Sequence, residues 1–180
     1  MDYDLSIPRI KTKSLNNLID FRSDTVTQPT EQMRKAMSTA KVGDDVYGDD
    51  PSVNLLQEKV SKLLGKEDSL FLTSGTQSNL CAMLAHCQRG EEIITGNNYH
   101  VFIDEAGGAS VLGGIMMYPI NTNEDGSLNL ADIENGIKPN DPHCPITKLL
   151  CVENTVSGKV QGLDQLKKYS NLTNKYKLRL

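Results

Sequence analysis

Residues 72–80, LTSGTQSNL, run from an apolar approach through small polar residues into an amphipathic stretch. Residues 69–72 read as a short strand. Leu80, Met83, Leu84 and Cys87 then recur at i, i+3, i+4 and i+7, the stripe of a helix starting near Thr76. Two readings of the junction are open. It is a turn closed by an N-cap, or it is a cup for a phosphate group. Ligands of α/β sheets collect beyond the carboxyl ends of strands. The first N–H groups of a helix have no partner inside it, and the helix dipole places partial positive charge there. Gly75 would let a ligand approach the backbone closely. The hydroxyls of Ser74, Thr76 and Ser78 could add hydrogen bonds. Neither GxxxxGK[ST] nor GxGxxG occurs in the chain.

Outward from this junction, helical and strand patterns alternate. Residues 1–17 are polar and aperiodic and read as a flexible arm. Pro29 is expected to open a helix carrying Met33, Ala36 and Met37 on one face. A Gly- and Asp-rich loop, KVGDDVYGDD, follows at 41–50. Asp50 then caps a helix with Pro51 at its first position. Leu56, Val60, Leu63 and Leu64 form its expected buried stripe, and Gly65 its stop. Strands are expected at 92–95, 115–120 and 148–152, and helices at 106–112, 130–137 and from Asp164 to about Lys175. Asp125-Gly126 marks a turn. Residues 177–180 look like the start of one more strand. This is the pattern of an α/β domain with a mostly parallel sheet between helices.

Composition narrows the function. The 180 residues fit one domain of ordinary size, and a hydrophobic fraction of 38% suffices for a core. A net charge of −4 argues against a nucleic-acid partner. No apolar run approaches the roughly 18 residues of a membrane span, and the amino terminus shows no apolar leader. A cytoplasmic location is therefore expected. Cys81, Cys87, Cys144 and Cys151 form no CxxC and have no zinc-ligand spacing with His86, His100 or His143. They read as buried, reduced thiols. Asp44, Asp45, Asp49 and Asp50 match no EF-hand spacing and read as caps and turns, so no metal is expected. His100 reads as a structural residue or as a ring lying against an aromatic ligand. No GxSxG supports a hydrolase elbow.

DFRSDTVTQPT (20–30), VGDDVYGDDPSV (42–53), LTSGTQSNL, the histidine of GNNYH (96–100), EAGGASVLGG (105–114) and KLLCVENT (148–155) occur in this order. Together they resemble threonine aldolase, a pyridoxal-phosphate-dependent lyase of the aspartate-aminotransferase-like fold. The resemblance covers residues 20–180 and rests above all on RSDTVT and GDDVYGDDP. It implies pyridoxal 5′-phosphate as cofactor, a β-hydroxy amino acid such as L-threonine or L-allo-threonine as substrate, and glycine and acetaldehyde as products. It implies that Gly75 and Thr76 hold the cofactor phosphate, and that His100 stacks on its ring near the substrate hydroxyl. Ser23 would help bind the substrate carboxylate. His143, in KPNDPH, would lie near the β-hydroxyl, and Tyr47 by the active site or at a subunit contact. His100 or His143 would be the catalytic base. Glu105 and Glu153 match motif positions with contacts left open. A homo-oligomer, dimer or tetramer, is implied as well.

The resemblance also sets expectations about what is missing. Relatives carry a DGAR segment, whose Asp pairs with the pyridinium nitrogen, and later the Schiff-base Lys within Ser-Lys-Gly. Neither occurs in this sequence, and Lys159, in SGKV, does not match. Val156 and Ser157 depart from the polar pair usual after ENT. Residues 18–180 are therefore expected to form an incomplete, truncated cofactor-binding large domain that is prone to aggregate. The alternatives are a related β-eliminating lyase, or a catalytically inactive chain acting as a binding partner.

Overall fold

The computed structural model describes residues 19–21 and 23–180. The arm expected at 1–17, and Arg22 of RSDTVT, lie outside the described residues. The described chain divides into two compact units, one ending at Leu70 and one spanning Phe71–Leu180.

In the first unit, a 3-10 turn at Asp24–Val26 is capped by the Ser23 hydroxyl, which accepts from the Thr25 N–H. Helix α1 spans Glu31–Thr39. Its N-cap is Thr30, so the helix opens two residues later than Pro29 suggests. A hydroxyl there can accept the orphan Met33 N–H, as Thr30 does at 3.2 Å. Helix α2 spans Pro51–Leu64. Asp50 caps it through Ser52 and Val53, and Gly65 closes it in the left-handed conformation, as expected. The stripe expected to be buried is not. Leu56, Leu63 and Leu64 are exposed and Val60 is half-buried, while Met33, Ala36 and Met37 of α1 are exposed too. An apolar stripe is buried only where a second layer lies on it, and α1 and α2 do not provide that layer for each other.

Residues 69–72 form no strand, because no strand among the described residues pairs with them. Helix α3 spans Gly75–His86, with the Ser74 hydroxyl accepting from Gln77. Strand β1 spans Glu91–Gly96, α4 His100–Ile103, α5 Gly108–Gly113, β2 Met116–Ile120, α6 Leu130–Gly136, β3 Ile146–Leu150 and α7 Leu163–Tyr176. The cap of α7 is Gly162, not Asp164, which sits inside the first turn.

The sheet has three parallel strands in the order β2-β1-β3, with helices α3, α5, α6 and α7 around it. Central β1 is buried almost throughout. That fits its apolar centre, Ile93-Ile94, covered on both faces. Of the strand start expected at 177–180, only Arg179 meets the sheet, through a single parallel bridge to Leu149 of β3. The core gathers Met83 of α3 and Cys87 at its C-cap, Ile93 and Ile94, Ala109 of α5, Ile115, Ile133 of α6, Leu149 and Leu150, and Tyr169 of α7, whereas Cys81, expected to be buried, is exposed. At the amino end of the sheet, the Glu92 carboxylate is buried. It accepts from the Thr147 hydroxyl at 2.9 Å and lies 3.3 Å from the Lys138 ammonium.

Candidate active site

Parallel strands deliver their following loops to one edge, and the segments after β1 and β3 meet the start of α3 there. The segment after β1 turns immediately into α4, whose first residue is His100. Tyr99, at the N-cap, offers this short helix no side-chain acceptor. Glu153, from the segment after β3, takes that place by accepting the His100 backbone N–H. The start of α3 supplies the third wall. Gly75, Thr76, Asn79, His100, Val101 and residues 151–155 line a cleft of about 450 Å³.

Within this cleft the histidine ring has a defined orientation. His100 Nδ1 lies 2.8 Å from Glu105 Oε1, and the Asn79 amide donates to the same oxygen at 2.7 Å. Glu105 is only 6% exposed, whereas the His100 side chain is half exposed. A carboxylate can only accept, so Nδ1 carries the proton and Nε2 has the free lone pair. The hydrogen bond to Glu105 raises the His100 pKa above its ordinary value. Desolvation opposes the rise, and the charges of Glu105, Asp104 and Glu153 add to it.

Behind the wall, Gln161 is 4% exposed. Its amide donates to the Glu153 carbonyl at 2.6 Å and to the Tyr99 hydroxyl at 3.0 Å, while Tyr99 donates to Gly126 O at 2.9 Å. These bonds fix the segment after β3 against the one after β1. Cys151 also lines the cleft. Burial, its largest influence, pushes its thiol up to about 11, so it stays protonated at neutral pH and is no nucleophile.

The cofactor implied by the resemblance fits part of this lining. A side chain at Gly75 would meet no atom within 4 Å, so the space before the helix is open. Gln77 and Ser78 donate to Ser74, whereas Gly75 and Thr76 precede the first intrahelical bond and keep their N–H groups for an anion. The His100 ring forms another wall. Among the described residues that line the cleft there is no lysine.

Of the other expected site residues, His143 belongs to the second unit but stands away from the cleft. His143 stands in the loop between α6 and β3, its side chain 90% exposed and 2.8 Å from Asp141. That loop enters the amino end of β3, while the cleft lies at the carboxyl end. Five residues of strand separate them by about 16 Å. Ser23 and Tyr47 belong to the first unit, both exposed, with Ser23 engaged as a cap. In the acidic loop, Asp44 accepts from Val46, and Asp50 accepts from Gly43, Ser52 and Val53. Asn79 was not foreseen, although it sits one helical turn after Thr76 and so on the same face. Tyr99 and Gln161 had no local signal, being 62 positions apart.

The pattern of the beta-eliminating lyase family matches residues 20–180. The chain belongs to this family. It is 52% identical over 163 residues to the low-specificity L-threonine aldolase of Escherichia coli K12, covering 91% of this chain and 49% of that protein. It is 40% identical over 170 residues to low-specificity L-threonine aldolase 1 of Arabidopsis thaliana, covering 90% of this chain and 47% of that one. Among solved structures, Leishmania major threonine aldolase superposes with a TM-score of 0.67 at 26% identity, over 82% of this chain and 43% of that one. The resemblance drawn from the motifs is thereby borne out, and with it the α/β fold of this family. The chain spans about half the length of the curated relatives it matches.

Proposed function

We propose that this lyase chain forms the cofactor-binding part of a pyridoxal-phosphate-dependent aldehyde-lyase. Its reaction would be the retro-aldol cleavage of L-threonine or L-allo-threonine to glycine and acetaldehyde. The observation that carries this reading is the convergence of the open α3 start with a ring-oriented His100 in one cleft. Gly75 and Thr76 would hold the phosphate through their N–H groups, and His100 would flank the ring. When bound, pyridoxal phosphate supplies a conjugated ring that takes up electrons as a bond at the substrate Cα breaks.

Neutral His100 would take the β-hydroxyl proton at Nε2, since Nδ1 is committed to Glu105. A carboxylate role for Ser23 and an active-site or subunit-contact role for Tyr47 rest on the resemblance. The same is true of His143 as a second candidate base. Its distance from the cleft favours its delivery to the cleft of another copy, and hence a homo-oligomer. We read the protein as cytoplasmic; among the described residues no helix is long and apolar enough to cross a membrane. No residue lining the cleft is assigned the covalent attachment of the cofactor.

The test is product analysis with the protein that carries this chain together with the half its relatives possess. Glycine and acetaldehyde released from L-threonine support the reading. Ammonia and a keto acid would instead support β-elimination, a second reading favoured by the family whose pattern matches residues 20–180. Inertness toward both threonine isomers would overturn the aldolase assignment.

A further inference from the structure

We propose that Glu105, held in place by Asn79, is the positioning residue that fixes the His100 ring with its proton on Nδ1 and its Nε2 lone pair turned to the cleft. This deepens the reading of His100 as the base and rests on it for the kinetic consequence, though not for the ring chemistry.

The geometry is that of a buried carboxylate committed to two donors. Glu105 Oε1 accepts from His100 Nδ1 at 2.8 Å and from the Asn79 amide at 2.7 Å. These donors come from two different elements, α3 and α4, and Glu105 lies just beyond the end of α4. The carboxylate is nearly inaccessible while the ring it holds is half exposed. A solvent-facing imidazole would otherwise exchange tautomers and rotate. The charged groups facing the ring are Asp104 at the end of its own helix, Glu105, and Glu153 from beyond β3. All are acidic. α3 contributes the uncharged Thr76 and Asn79 to this cleft. Glu153 meets the backbone N–H of His100, so Glu105 is the carboxylate that sets the ring.

Two substitutions separate charge from orientation. Glu105→Gln keeps a carbonyl oxygen for both donors and removes the charge. Glu105→Ala removes both. The first readout is the pH titration and the nitrogen chemical shifts of His100 in the 180-residue chain, measured by NMR without cofactor or substrate. In the unaltered chain the Nδ1–H tautomer is expected. Glu105→Gln should lower the His100 pKa and keep that tautomer. Glu105→Ala should lower the pKa and shift the ring toward Nε2–H. Asn79→Ala, which leaves the carboxylate present and unheld, should fall between. An Nε2–H tautomer in the unaltered chain, or the same titration in all variants, overturns the proposal.

The second readout is kcat/KM against pH in this chain joined to the half of a full-length relative that it does not span. Glu105→Gln should move the acidic limb to lower pH. Glu105→Ala should lose on the order of 10²-fold in kcat/KM, the scale of one well-placed base. Glu105→Asp should recover part of that loss. If threonine is not cleaved while the NMR results hold, the aldolase reading fails and the positioning of His100 stands. If cleavage occurs with an unmoved pH profile in Glu105→Gln, the positioning role is overturned and the aldolase reading stands.

Discussion

Gly75 and His100 show how single residues divide between fold and function. A side chain built on Gly75 meets nothing within 4 Å, so the backbone does not require glycine there. Gly75→Leu is therefore expected to leave the thermal midpoint within a few degrees of the original while filling the space before α3. Titration with pyridoxal phosphate should show binding weakened by roughly tenfold or more, the scale of one lost charge-assisted hydrogen bond. Gly96 is the opposite case, because a Cβ there would lie 2.7 Å from the Tyr99 ring and the Thr122 hydroxyl. The His100–Glu105 pair has a pH signature of definite sign. The folded pKa of His100 is raised above its ordinary 6.5, so its contribution is fully present below 6.5. That contribution is lost as pH rises through the raised value. The difference in urea midpoint between the native chain and Glu105→Gln should accordingly be larger in mildly acidic than in alkaline solution. A difference that grows toward alkaline pH would refute the pairing.

At the scale of elements, α3 is legible in the sequence, whereas the strand expected before it does not form. Its N-cap, apolar spacing and last turn are local features, and Ser74 occupies the cap with its hydroxyl 3.1 Å from the Gln77 N–H. Ser74→Ala should cost about 1 kcal/mol, measured by urea unfolding, because one orphan donor loses its acceptor. Residues 69–72 carry an apolar strand-like pattern, but a strand exists only with a ladder partner, and none of the three described strands provides one. The cap of α7 moved for a related reason. Asp164 is a good cap residue by type, yet the chain turns into the helix two residues earlier, at Gly162. Helix α4 escaped notice because His100–Ile103 is too short to show a period. Its starting N–H is satisfied by Glu153 from a distant segment.

At the scale of the whole molecule, the second unit is tied together at both ends of its sheet. The carboxyl end carries the cleft, and the amino end carries a buried charge cluster. There the Lys138 ammonium lies 3.3 Å from Glu92, 2.9 Å from the Gly136 carbonyl and 3.5 Å from the centre of the Tyr118 ring. The cluster thus draws on all three strands, through Glu92, Tyr118 and Thr147. Lys138→Met keeps the stem and removes the charge, leaving Glu92 buried beside a single hydroxyl. It should cost roughly 3 kcal/mol by urea unfolding. Glu92→Leu combined with Lys138→Met should cost less than Lys138→Met alone, since an apolar pair leaves no buried charge unmatched. A double variant less stable than the single one would show that the cluster contributes more than charge neutralisation.

The sequence by itself determined the alternation of helices and strands, the cap at Asp50, the stop at Gly65 and the family resemblance. Each of these depends on contacts a few residues apart, or on motifs read in order. Tertiary structure alone decided that residues 69–72 stay outside the sheet, that the stripe of α2 is exposed, and that His143 stands at the opposite end of β3 from His100. It also decided which carboxylate holds the His100 ring. Glu105 and Glu153 are equivalent on paper. Only the folding of α3, α4 and the segment after β3 to one edge of a parallel sheet gives one of them the imidazole and the other the backbone N–H.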